Sequence, residues 1–180
     1  MKNKALVVID AQEDFTRGSL RNEDAIRALP VIKDVVSYAY NNFRRKIMYT
    51  KDTHGDSYLE TQEGKNLPIK HCIKGTDGWR ICQEVLLEES EVLEKHAFGY
   101  TSWDMRALRM LDELWICGFA TDICVSANFQ IIKACYPELP IVIIEDACAG
   151  TTPEMHKAAL DVMKSCQAKV MKWEDLKIKE

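Results

Sequence analysis

Four residues able to do covalent or metal chemistry recur at one kind of position in this chain, at or just past the end of an apolar run. Cys124 follows Leu114-Trp115-Ile116-Cys117, Asp10 ends Ala5-Leu6-Val7-Val8-Ile9, Asp52 follows Ile47-Met48-Tyr49-Thr50, and Lys95 closes Val92-Leu93-Glu94. After the apolar run before Cys124, Gly118 breaks the pattern and Thr121 or Asp122 is expected to cap a helix carrying Val125, Phe129 and Ile132 on one face. Cys124 then falls in the first turn, where unsatisfied N–H groups and the helix dipole favour thiolate and can hold an oxyanion. A cysteine nucleophile needs a group that takes its proton and returns it to the leaving group. Asp10, at the mouth of a buried strand, suits that role because desolvation raises a carboxyl pKa. Lys95 would order the pair.

Asp52-x-His54 and the later His71 supply a carboxylate and two imidazoles, a donor set for a divalent metal such as zinc, iron or manganese with open positions. Alternate residues of an extended segment project the same way, so Asp52 and His54 can converge. Asp56, Glu60 and Glu63 are each candidates for a further ligand. His96 and His156 have no partner at ligand spacing and read as ordinary helix or loop residues.

The elements that must position these groups alternate in type. Apolar runs at 4–9, 47–50, 92–95, 114–117, 141–144 and 168–171 read as strands. Between them helices are predicted to start at Pro30, to run over 79–87 and 103–111, to follow Cys124 as far as about residue 134, and to run over 153–164. The segment between Asp52 and His71 is long for a connection in a compact domain, which points to function. Alternation of this kind implies a mostly parallel sheet with helices on both faces, a Rossmann-like three-layer α/β/α arrangement in a single domain spanning 1–180. In such sheets ligands bind beyond the C-terminal strand ends, which puts Asp10, Asp52, Lys95 and Cys124 on one rim.

Composition narrows the function further. The 180 residues suffice for one core burying about 70% of the unfolded surface. A net charge of −4 with no basic stripe gives no support to nucleic-acid binding. The first apolar run stops at Asp10, too early for a signal peptide, and no run reaches membrane-spanning length. Seven cysteines, an odd number without C-x-x-C spacing, read as reduced thiols, so a cytoplasmic protein without membrane association is expected.

Taken in order, Ile9-Asp10-x-Gln12-x-Asp14-Phe15, Asp52-x-His54, His71-Cys72-x-x-Gly75-Thr76-x-Gly78, Glu94-Lys95 and Gly118-x-x-Thr121-Asp122-x-Cys124-Val125 resemble the isochorismatase-like cysteine hydrolases, and among them the nicotinamidase branch. The resemblance implies a six-stranded parallel sheet and a Cys124–Asp10–Lys95 triad forming a thioester from an amide, with the backbone N–H groups of Ala120 and Cys124 as oxyanion hole. A non-proline cis bond would fall at Phe119–Ala120. It further implies a metal, zinc first, held by Asp52, His54 and His71 and binding a pyridine nitrogen, with Phe15 and Phe98 walling the ring. The substrate would then be nicotinamide, in salvage of NAD breakdown products, or else another small amide, carbamoyl or ureido compound; a homo-oligomer is expected from the same resemblance. One departure is Leu67-Pro68 where nicotinamidases often carry an aromatic residue before the proline. Tyr58 and Trp79 are the candidate replacements.

Overall fold

The computed structural model describes residues 2–105 and 107–179. Its frame is a six-stranded sheet, every pairing parallel: β1 (Lys4–Ile9), β2 (Ile47–Asp52), β3 (Glu91–Lys95), β4 (Glu113–Phe119), β5 (Ile141–Ala149) and β6 (Lys169–Met171). The spatial order is β3-β2-β1-β4-β5-β6. The order in which strands are added reverses at the β1/β4 pair, the switch point where an open α/β sheet leaves a crevice for ligands. β1 and most of β4 are buried on both faces, as a parallel sheet covered by helices requires.

Helices α1 (Glu23–Asn42), α2 (Gln62–Asn66), α3 (Ser126–Cys135), α4 (Pro153–Ser165) and α5 (Trp173–Lys179) complete the fold. The α1 helix begins seven residues before Pro30, the residue at which a start is predicted. Asn22 caps it, its side-chain oxygen accepting from the N–H of Asp24 at 2.8 Å and of Ala25 at 3.2 Å. Pro30 lies inside the helix, where the buried face of Ala25, Leu29, Ile32 and Val36 outweighs one missing N–H.

The helix predicted over 79–87 is absent. Glu13 N–H donates to Arg80 O at 2.9 Å and Cys82 N–H to Ala11 O at 2.8 Å, so the chain pairs with the extension of β1. The helix predicted over 103–111 is two short 3-10 turns, Trp103–Met105 and Ala107–Met110, and Arg106 lies outside the described residues. No helix among the described residues is long and apolar enough to cross a membrane.

The foot of the sheet carries its own ion pair, with the lysine buried and the carboxylate partly so. Lys4 and Glu113 are register partners on β1 and β4, with Nζ 3.0 Å from Oε1. Trp115 Nε1 donates to the same carboxylate at 2.7 Å, and Lys4 Nζ stands 5.2 Å from the Trp115 ring centroid. Burial alone would raise the Glu113 pKa, but the Trp115 N–H and the Lys4 ammonium outweigh it and hold the carboxyl below its ordinary range.

Candidate active site and metal centre

Asp10, Asp52 and Lys95 are delivered by strand ends, and Cys124 by the turn that follows β4. Asp10 follows β1 with φ +45°, in the left-handed region that a non-glycine residue rarely adopts. Thr50 on β2 holds it there: the Asp10 N–H donates to Thr50 Oγ1 at 3.2 Å, and that hydroxyl donates to Asp10 Oδ1 at 2.7 Å. Lys95 ends β3 in register with Asp52 and reaches across β2. Its Nζ lies 2.7 Å from Asp10 Oδ2, 2.9 Å from Asp52 Oδ1, 3.1 Å from Ala97 O and 3.4 Å from Cys124 Sγ. Asp10, Lys95 and Cys124 therefore meet at one buried point.

Cys124 arrives by a tight route. Gly118 sits at φ +121°, and a Cβ there would run into the backbone of Ile9, so only glycine lets β4 pass β1 at this place. The Phe119–Ala120 bond is cis, at the expected position. Neither Thr121 nor Asp122 caps the helix, contrary to expectation. Ala120 stands at the cap, and a π turn, Thr121–Val125, precedes α3. Asp122 instead accepts from the N–H of Thr151 at 2.8 Å.

Two residues that sequence patterning passed over support this turn. Asn128 is fully buried; its Nδ2 donates to Cys124 O at 2.7 Å and to Phe98 O at 3.2 Å, and its Oδ1 accepts from the Tyr100 N–H and Trp103 Nε1. The available signal was a polar side chain on the otherwise apolar face of α3. His156, read as an ordinary residue, has Nδ1 at 2.7 Å from the buried Thr121 hydroxyl.

Electrostatics correct one expectation. Burial, then the neighbouring Asp10 carboxylate, raises the Cys124 pKa well above its ordinary value, with Lys95 opposing. Burial also raises Asp10, against the pull of Lys95. Burial and Asp10 thus favour the thiol, against the pull of the helix terminus. It sits beside a carboxyl of raised basicity, with the Lys95 pKa raised by its carboxylate neighbours against the effect of burial.

The second cluster adjoins the first through Asp52, whose Oδ1 faces Lys95 and whose Oδ2 lies 2.9 Å from His54 Nε2 and 3.8 Å from His71 Nε2. Glu63 Oε1 closes the set, 3.6 Å from His54 Nε2 and 3.5 Å from His71 Nε2. One donor atom from each of the four residues falls within 4.8 Å of the others. His71 Nδ1 is 2.9 Å from Ile69 O, so that nitrogen carries the proton and Nε2 keeps a lone pair facing the cluster. Two imidazoles and two carboxylates converging in this way suit a divalent cation such as zinc. Of the three acidic candidates for a further ligand, Glu63 joins the set, and neither Asp56 nor Glu60 does.

Both clusters open into one cleft of about 950 Å³, lined among others by Phe15, Phe98, Leu67, Ala120 and Cys124. Phe15 lies 6.2 Å from the His71 ring. Phe98 stands at the mouth, half exposed. Tyr58 does not supply the missing aromatic wall: it is buried behind the histidines, 4.7 Å from the His54 ring and 5.0 Å from that of His71, and its hydroxyl donates to Leu67 O. Trp79 stacks on Lys51 and donates to Thr53 Oγ1, outside the cleft lining. Leu67 keeps the place.

Comparison with known proteins agrees with this geometry. The isochorismatase domain family model matches residues 4–175, from the first strand into the last helix. No curated protein sequence matches the chain significantly. Among solved structures, nicotinamidase PncA from Bacillus subtilis is similar with a TM-score of 0.81 at 25% identity, covering 94% of this chain and 99% of that one. The pyrazinamidase of Pyrococcus horikoshii in complex with zinc gives 0.83 at 25% identity over 95% and 99%. N-carbamoylsarcosine amidase from Thermoplasma acidophilum gives 0.74 at 27% identity over 96% of each chain. With strand order, nucleophile turn and family match all in agreement, the chain belongs to the isochorismatase-like cysteine hydrolases.

Proposed function

We propose that this protein is a metal-dependent cysteine amidohydrolase that converts nicotinamide and water to nicotinate and ammonia. The observation that carries the reading is the sharing of Asp52: one oxygen serves the Cys124–Asp10–Lys95 point and the other the Asp52–His54–Glu63–His71 cluster, so nucleophile and metal ligands face one cleft.

In the resting site Cys124 is a thiol and Asp10 a carboxylate held by Thr50 and Lys95. As Sγ attacks the amide carbon, the thiol proton passes to Asp10, whose raised pKa makes it a fitting acceptor. The backbone N–H groups of Ala120 and Cys124 receive the developing oxyanion. Asp10 then returns the proton to the departing nitrogen, the C–N bond breaks, and ammonia leaves a thioester on Cys124. Asp10 next takes a proton from water as it attacks the thioester; collapse of that intermediate releases the carboxylic acid and regenerates the thiol. Lys95 stays an ammonium throughout and keeps Asp10 aimed at the sulfur. The chemistry a divalent ion supplies when held by Asp52, His54, Glu63 and His71 is a coordination position for the pyridine nitrogen, orienting the ring without activating the nucleophile.

The test is ammonia release from nicotinamide by purified protein, beside Cys124→Ala, His54→Ala and a chelator-treated sample. Turnover lost in all three is the expected result. A metal-loaded protein that releases no ammonia from nicotinamide overturns the substrate. A second reading then stands, a cysteine amidase for another small amide, carbamoyl or ureido compound. Leu67 at the cleft wall, with Tyr58 and Trp79 turned away from it, favours that alternative, as does the similarity to a carbamoylsarcosine amidase.

A further inference from the structure

Asp10, Gln12 and Asp14 alternate along the segment leaving β1, yet only Asp10 has a place in the reaction above. Gln12 is fully buried and clamps the backbone of a metal-cluster residue: its Nε2 donates to Asp52 O at 2.9 Å, and its Oε1 accepts from the Asp52 N–H at 2.7 Å. Asp14 is buried too, and each carboxylate oxygen takes one backbone N–H. Oδ1 accepts from Ser19 at 3.0 Å and Oδ2 from Cys72 at 2.6 Å. Cys72 follows His71 directly and sits at φ +47°. A non-glycine residue in that region is strained and persists only where its surroundings over-determine it. Here they do so from both sides, since the His54 N–H donates to Cys72 O at 3.0 Å while the Asp14 carboxylate holds Cys72 N–H by a charge-assisted bond.

We propose that Asp14 is a positioning residue for the metal centre, its carboxylate locking Cys72 in the left-handed conformation that aims His71 at Asp52 and Glu63. The assignment rests on the metal reading above but not on the substrate. A second feature of the fold serves the same purpose. Gly78 lies against the Asp14 carboxylate so closely that a Cβ there would overlap it, and the three nearest atoms it would meet all belong to that carboxylate. With both oxygens engaged, the group cannot turn aside without releasing Ser19 or Cys72. Gly78 is therefore a place from which the clamp can be opened without touching a ligand.

The experiment is a zinc titration of the metal-free full-length protein by chelator competition, run on wild type, Asp14→Asn, Gly78→Ala and His54→Ala. Thermal melts and the rate of Cys124 alkylation by iodoacetamide are recorded on the same samples. Loss of an outer-shell partner typically weakens metal binding by about 10–100-fold. That weakening is expected in both Asp14→Asn and Gly78→Ala, with Cys124 alkylation unchanged and with His54→Ala the weakest binder. If Asp14→Asn does not fold, Gly78→Ala alone decides. Lower melting temperatures with wild-type zinc affinity in the clamp variants would make Asp14 a loop brace only and overturn the proposal while leaving the metal reading standing. A wild-type protein with no zinc affinity would overturn both.

Discussion

Two buried lysines mark opposite ends of the same parallel sheet, and the difference in their surroundings decides what each end does. At the foot, Lys4 pairs with Glu113, its register partner on β4, and Trp115 packs beside both. At the C-terminal rim, Lys95 meets Asp10 and Asp52 together, with the Cys124 sulfur as a further neighbour and Glu63 contributing another carboxylate across the histidines. At the foot the Lys4 ammonium, with Lys169 adding its charge, holds Glu113 below its ordinary range, so that carboxylate gains nothing from a proton. Three carboxylates against one ammonium leave the rim with surplus negative charge in a low-dielectric setting. Such a site raises the Asp10 pKa, the carboxyl buried most deeply, and attracts cations. Deeper burial and a surplus of carboxylates together separate the reactive end from the structural one.

The comparison can be broken from either end. The largest effect is expected at the rim: Cys124→Ala should lower kcat/KM by more than about 10⁴-fold, as removal of a covalent nucleophile does, while the melting temperature holds or rises. A large loss of stability there would make Cys124 a core residue first. At the foot the pattern should invert. Lys4→Met alone should cost about 3 kcal/mol of stability by stranding Glu113, whereas Lys4→Met combined with Glu113→Leu should be neutral or stabilising by about 1–4 kcal/mol. Urea melts of the two variants check this, with kcat expected to be unchanged in both.

Acid titration sharpens the same contrast with opposite signs. Glu113 has a folded pKa below its ordinary 4.5, so its contribution to stability is complete above that value and is lost as pH falls through the lower, folded one. Asp10, raised from 3.8, contributes stability below that value and loses it as pH rises through its folded pKa. Melts from roughly pH 3 to pH 7 should therefore lose part of their acid slope in Glu113→Gln, and a Glu113→Gln protein with the wild-type slope would remove the foot pair from the account. The smallest effect is expected at His156. Loss of its hydrogen bond to Thr121, worth about 0.5–1.5 kcal/mol, should lower kcat in His156→Ala by roughly 2–10-fold with zinc affinity intact. Equal kcat in the variant and wild type would return His156 to the ordinary role suggested by its spacing.

Sequence alone determined which residue types stand at the strand ends, because an apolar run and the polar residue that stops it are local signals. Asp10, Asp52, Lys95 and Cys124 were legible for that reason, and the strands they terminate lie within a few residues of the patterned runs. Only tertiary structure decided the rest. Glu63 was chosen over Asp56 and Glu60 by how the 53–71 segment folds back, a closure no local window encodes. The helix expected over 79–87 gave way to backbone bonds with the β1 extension, and α1 ran through Pro30 because burial of its long apolar face outweighs one lost N–H. The rise of the Cys124 pKa comes from desolvation and from Asp10, a residue 114 positions away in the chain, and both oppose the helix terminus that the local pattern displays. Residue type and punctuation are properties of neighbours in sequence; convergence and dielectric are properties of neighbours in space.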